Sequence, residues 1–262
     1  MTSGDGAVVL RSDRGPVATL TLARPEARNA LSLGVLDALL AELSGVDADR
    51  SIHVVVLAGE GPAFSAGHDL REIVDQPDDA YRHDLFTRCS EVMIALTRLR
   101  QPVIAKVAGV ATAAGCQLVA SCDLAVAAAS ARFATPGVNI GLFCTTPMVA
   151  LTRNVAPKAA MEMLLTGALI PADEALRIGL LNRVVPDGSL DAEVDALADL
   201  IASKPPETVA LGKAAFWRLR DLPLVDAYAD ASRVMAANLG MDEAAEGISA
   251  FLEKRPPRWG HG

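Results

Sequence analysis

Apolar residues in this chain follow two rhythms. In the first half they form short, nearly unbroken runs at 52–58, 102–107 and 123–129, the pattern of strands covered on both faces. Val8-Val9-Leu10 and the alternating run from Val17 to Leu22 predict two more strands around a turn at 13–16. Leu33, Leu36, Leu39, Leu40 and Leu43 recur at helical spacing behind Ser32, which predicts a capped helix over 33–43. A long helix is expected over 81–100, stopped before Pro102, and a short one ending at 118–121. Residues 59–67 read as a Gly-rich loop. This alternation predicts an α/β fold with a mostly parallel, layered sheet.

After Pro147 the rhythm changes. Helical spacing dominates at 147–155, 157–166, 172–178, 190–202, 207–219, 224–238 and 242–254, with one strand expected at 181–185. Pro147, Pro157 and Pro171 fall near helix starts, and Gly167 and Gly179 near helix ends. No internal repeat or low-complexity linker divides the chain, so the helical third reads as an appendage of one domain that also supplies subunit contacts.

Composition narrows the classes of function. The net charge of −8, without a long basic run, argues against nucleic acid as a partner. Cys89, Cys116, Cys122 and Cys144 lack paired metal spacing and read as buried reduced thiols. No apolar run spans a bilayer and no signal core opens the sequence, so a cytoplasmic setting is expected. The run from Gly109 to Gly115 lacks the G-x-G-x-x-G pattern and a P-loop lysine, so no metal or redox cofactor is expected.

Two stretches carry candidate chemistry: Phe64-Ser65-Ala66-Gly67-His68-Asp69-Leu70, and Ala108-Gly109-Val110-Ala111-Thr112-Ala113-Ala114-Gly115-Cys116-Gln117-Leu118. Each puts small residues after a strand, where a backbone N–H can face a ligand. Two such groups aimed at one point would form an oxyanion hole. Each stretch alone also reads as an ordinary Gly-rich turn. Gln117 beside the second stretch is neutral, and Gly137 further on has no side chain. The pattern suits polarising a carbonyl but offers no evident acid or base.

Together with Phe133-Ala134-Thr135-Pro136-Gly137-Val138-Asn139-Ile140-Gly141 and the run from Glu174 to Val185, these motifs resemble the crotonase superfamily, the enoyl-CoA hydratase/isomerase family. The run from Gly109 to Asp123 and on to Phe143 is similar to the enoyl-CoA hydratase domain-containing protein 3 group within it. The resemblance implies a spiral of ββα-type turns, with residues 1–200 as acyl-CoA-binding core. Residues 201–262 would form a helical trimerisation region that completes the site. It implies a homotrimer or hexamer and fatty-acyl-CoA metabolism, with coenzyme A as part of the substrate.

Carried over residue by residue, the resemblance assigns the oxyanion donors to the backbone N–H groups of His68 and Ala114. The backbone of Ala27, Arg28 and Ala30, with Ala66, Asp69 and Leu70, would hold the CoA portion. Arg71 and Lys254 are candidates for its phosphates, or solvated surface charges, and Phe251 for packing near the adenine across a subunit boundary. Hydratases of the family use two glutamates, at positions matched here by Gln117 and Gly137; a third position, an aspartate in some isomerases, aligns with Thr145. An amide cannot take a proton from water near neutral pH, and glycine offers no acid. Hydration by the two-carboxylate route is therefore expected to fail. Isomerase, hydrolase or decarboxylase chemistry, a non-catalytic acyl-CoA binder and a scaffold stay open.

Single residues carry further expectations. The His68 side chain is expected in the pocket wall or towards solvent, and Cys144 as an inert buried thiol rather than a nucleophile. Gln117 either holds water or a polar acyl group, or bonds its neighbours. Asn139 and Thr145 are expected to line the acyl pocket, Asp69 to cap a helix starting at Leu70, and Asp123 to be structural.

Overall fold

A computed structural model describes residues 7–259 of the chain. The polypeptide opens with the antiparallel pair β1 (Val9–Arg14) and β2 (Val17–Leu22), followed by α1 (Leu33–Ala48). Ser32 Oγ accepts from Val35 N–H and caps α1, as the sequence predicts, but the helix runs past Leu43 to Ala48. The middle of the chain holds β3 (Val54–Gly59), β4 (Ala63–Ser65), α2 (Leu70–Asp75), α3 (Asp79–Arg98), β5 (Val103–Val107), β6 (Val110–Thr112) and α4 (Ala114–Ser121). Then come β7 (Leu124–Ala128), β8 (Arg132–Ala134), α5 (Thr145–Leu151), α6 (Pro157–Thr166), β9 (Ile170–Pro171), α7 (Ala172–Arg177) and β10 (Arg183–Val185). The chain closes with α8 (Leu190–Ala202), α9 (Pro206–Leu219), α10 (Leu224–Leu239) and α11 (Asp242–Leu252).

The strands form two sheets, ordered β1-β2-β3-β5-β7-β10 and β4-β6-β8-β9. In each of three successive turns, β3–β4, β5–β6 and β7–β8, the first strand joins the large sheet and the second joins the small one. The chain thus winds as a spiral of ββα-type turns. The second sheet was not legible as strands: residues 59–67 read as loop, yet contain β4. Strands of two or three residues are too short to show a period.

Burial on both faces of the large sheet explains its unbroken apolar runs. Val55 and Leu57 of β3 face the main core with Leu36, Leu39 and Leu96. Their neighbours Val54 and Val56 face the other way, against Leu190, Val194 and Leu197 of α8. Among the described residues no helix is long and apolar enough to cross a membrane.

One buried ion pair ties the C-terminal helices to this core. Lys213 Nζ of α9 lies 2.6 Å from Asp123 Oδ2. It also donates to the carbonyls of Leu96 and Gln101, each at 2.9 Å. Trp217 Nε1 donates to the other Asp123 oxygen at 2.9 Å. Asp123 is structural, as expected from the sequence, and its partners could not be read from it.

Candidate active site

The two Gly-rich stretches meet. Gly67 has φ +91, and a β-carbon built on it would lie 2.8 Å from Ala113 Cβ and 3.2 Å from the Ala114 nitrogen. A β-carbon on Gly115 would fall 2.1 Å from the Ser65 carbonyl oxygen. Any side chain at either position would push the first stretch away from the second. Thr112 Oγ1 donates to the Ala66 carbonyl at 3.1 Å and ties them together.

Both candidate donors are left free by the fold. Leu31 pairs with the strand-like backbone at His68: Leu31 N–H donates to Gly67 O, and Asp69 N–H donates to Leu31 O. Because alternate peptide groups of an extended chain point opposite ways, the His68 N–H faces away from Leu31. Ala114 is the first residue of α4, so its N–H is one of the helix's unpaired initial donors. The peptide before it is aimed by Ala113, whose φ of +48 is uncommon for a residue with a β-carbon. Among the described residues no acceptor takes either N–H.

The predicted coenzyme segment is assembled around this point. Ala27 ends a short 3-10 turn, and Arg28 and Asn29 both adopt positive φ. Ala66 N–H donates to Arg28 O, which places 27–30 beside 66–70. Arg24 donates to the Ala30 carbonyl and pairs with Asp69 at 3.3 Å. Asp69 caps α2, accepting from the N–H groups of Arg71 and Glu72. Leu70 and the Arg71 side chain lie at the surface. Phe251 and Lys254 sit at the end of α11, and no hydrogen bond or ion pair joins them to these loops; Phe251 is 82% exposed.

Asn29 organises this region and was not singled out from the sequence. It is buried, donates through Nδ2 to Glu60 O and Ala63 O, and accepts from Arg24 N–H. Ser65 Oγ donates to Asn29 O and accepts from Gly67 N–H. The available signal was an asparagine within a loop, a residue that tolerates left-handed backbone while bonding its neighbours.

The positions expected from the resemblance to lack their carboxylates, 117 and 137, are placed as follows. Gln117 is buried in the wall of a cavity of about 550 Å³, and its Oε1 has no hydrogen-bond partner. A β-carbon on Gly137 would lie 2.6 Å from Leu142 O and 2.9 Å from Cys144 Sγ, so this position is closed to a side chain. Burial raises the Cys144 thiol, with a hydrogen bond from the Gly137 backbone opposing in part, which disfavours a thiolate nucleophile. Burial also pushes the Cys116 thiol up to about 12. Thr145 opens α5 and is exposed. Asn139 is exposed too, with its amide reaching 3.5 Å towards Gly167 O.

His68 turns its side chain inward. Nε2 is buried without a partner, and the ring meets the Phe86 edge at 5.1 Å. Burial lowers its pKa to about 4, so the imidazole is neutral at pH 7. The side chain is therefore not solvent-facing; it packs against Phe86.

The family profile described as enoyl-CoA hydratase/isomerase matches residues 13–262. The mouse protein named enoyl-CoA hydratase domain-containing protein 3, mitochondrial, is 47% identical over 94% of this chain and 82% of its own length. The crystal structure of an enoyl-CoA hydratase from Mycobacterium smegmatis superposes with a TM-score of 0.94, at 53% identity, covering 96% of this chain and 98% of that one. That of human enoyl coenzyme A hydratase domain-containing protein 3 gives 0.94 at 45% identity, covering 96% and 100%. By sequence and fold, the chain belongs to the enoyl-CoA hydratase/isomerase, or crotonase, family.

Proposed function

We propose that this protein binds an acyl-CoA and holds its thioester oxygen between the N–H groups of His68 and Ala114. The observation that supports this reading is the close approach of Gly67, the residue before His68, to the Ala113–Ala114 segment. As charge builds on a thioester oxygen, each such donor lowers the barrier by roughly 3–4 kcal/mol. The main-chain groups of Arg28, Ala30, Ala66 and Asp69 are largely engaged by neighbouring protein groups. Their carbonyls would meet the coenzyme through a second lone pair. Arg71 and Lys254 would meet its phosphates, and Phe251 its adenine.

The reaction differs from two-carboxylate hydration. Gln117 cannot act as the base, and Gly137 lies against Leu142 and Cys144 with no room for the acid. Loss of general acid and base costs roughly 10²–10⁴ in rate for each group. The oxyanion hole then serves a different acyl-CoA reaction, such as isomerisation, hydrolysis or decarboxylation, or it retains the ligand without turnover. A second copy of the chain would cover Leu224, Val225, Phe251 and Leu252, all at least 72% exposed, as in a homotrimer.

The test pairs binding with turnover on one preparation. Calorimetry titrates acetyl-, crotonyl- and long-chain enoyl-CoA, while absorbance follows loss of the conjugated enoyl thioester. Tight binding with slow hydration is expected. Ala114→Pro, which deletes the N–H where a helix accepts proline, is expected to weaken acyl-CoA binding while the fold persists by thermal melting. Fast hydration of crotonyl-CoA, lost in Ala114→Pro, would overturn the assignment of missing acid–base groups. No affinity for any acyl-CoA would overturn the reading itself.

A further inference from the structure

The cavity beside Gln117 has an end of distinct chemistry. It is lined by α3, α4, α5 and α9 and is open to solvent on one side. Gln117 follows Ala114 by about one turn of α4, so the cavity begins about one helical turn from the Ala114 N–H, which does not itself line it. Met93, Ile94, Ala120 and Val149 give it apolar walls. Its other end lies at the C-terminus of α4. There Asn154 donates to Ala120 O at 2.7 Å, which places the neighbouring Arg153 at that end. Asp123, just beyond α4, binds Trp217 and so brings Arg218 to the same end.

Three arginines and one aspartate, Arg98, Arg153, Arg218 and Asp221, line the cavity. Arg218 is engaged by Asp230 through two hydrogen bonds. Arg153 donates to Val149 O and approaches Asp221 only to 3.8 Å. The Arg98 side chain has no hydrogen bond or ion pair among the described residues. The cavity rim thus carries one unpaired guanidinium, on exposed Arg98, and one loosely paired guanidinium, on exposed Arg153. Gln117 is 4% exposed and its Oε1 has no partner, so the wall is not built for a purely hydrocarbon filling.

We propose that the acyl group taken here ends in a carboxylate: the ligand is the CoA thioester of a medium-length dicarboxylic acid. This rests on the acyl-CoA reading above. The thioester oxygen sits between His68 and Ala114, the methylenes run along the apolar walls, and the distal carboxylate meets Arg98 and Arg153. A guanidinium fork suits a carboxylate because it donates two parallel hydrogen bonds. The seven-residue rise of α4 from Ala114 to Ser121, about 10 Å, sets the length as medium.

Calorimetry with the full chain would compare suberyl-CoA with octanoyl-CoA, which have equal chain length, and with free CoA. Suberyl-CoA is expected to bind at least about tenfold tighter than octanoyl-CoA, the scale of a charge-assisted hydrogen bond. The Arg98→Met/Arg153→Met variant is expected to bring that ratio near one. Asp221→Asn, which removes the competing carboxylate, is expected to widen it. Octanoyl-CoA binding as tightly as suberyl-CoA, or tighter, would overturn this proposal and leave the acyl-CoA reading intact. Failure of both thioesters to bind would overturn both.

Discussion

The sulfur of Cys144 stands 2.9 Å from where the β-carbon of any side chain at Gly137 would lie. The Leu142 carbonyl closes the same space from another side, at 2.6 Å. A carboxylate side chain at position 137 is therefore excluded by packing as well as absent from the sequence. Gly137→Glu is expected to lower the melting temperature and to add no crotonyl-CoA hydration. Gln117→Glu needs no new space and is expected to raise that rate by roughly 10²-fold, the value of one general base. A hydration assay on both variants checks this; equal gains from the two would show that Gly137 is not closed.

Ala113 bears the conformational cost of aiming the Ala114 N–H. Its φ is +48 with ψ −119, a region that disfavours a β-carbon. Ala113→Gly is expected to stabilise the fold by about 1 kcal/mol in urea unfolding, since glycine adopts this backbone without strain. A destabilisation would mean that the contact between Ala113 Cβ and Gly67 outweighs the strain.

His68 predicts an acid limb in stability. Its folded pKa of about 4 lies below the usual value of 6.5. The unfolded chain therefore takes up this proton first as pH falls. The stability from a neutral buried imidazole is complete above about pH 6.5 and is lost progressively down to about pH 4. The loss is on the order of 2–3 kcal/mol. His68→Leu is expected to flatten that part of the profile, measured as urea midpoints between those pH values. An unchanged slope would assign the acid sensitivity to other groups.

Asp123 and Lys213 predict unequal mutants. Burial lowers the Lys213 pKa while Asp123 opposes this, so the pair holds a charge that the site otherwise disfavours. Asp123→Ala leaves the lysine uncompensated and is expected to cost roughly 3–5 kcal/mol. Lys213→Met, which removes the buried charge, is expected to cost less. Equal losses in denaturant melts would contradict the account. Hydrogen exchange in α9 is expected to rise in Asp123→Ala, because Asp123 also holds Trp217.

Much of this architecture was legible in the chain itself. Unbroken apolar runs identified the large-sheet strands, because burial on two faces removes polar positions. Helical spacing gave α6 and α8 with their observed ends, and Ser32 and Asp69 announced their helices because capping is a local interaction. The small sheet was hidden: β4, β6 and β8 are three residues each and take their order from long-range pairing. The start of α5 at Thr145 rather than Pro147 was likewise not local information.

The sequence by itself determined the large-sheet strands, most of the helices, the family resemblance and the absence of a carboxylate at positions 117 and 137, since each depends on residue identity and spacing along the chain. Only the tertiary structure decided that Gly67 and Gly115 bring two distant loops into contact. It also decided that Cys144 and Leu142 close the Gly137 position, that His68 turns inward, and that Arg98 and Arg153 share a cavity with Gln117. These relationships join residues far apart in sequence, and they are set by how strands and helices pack, to which local spacing is blind.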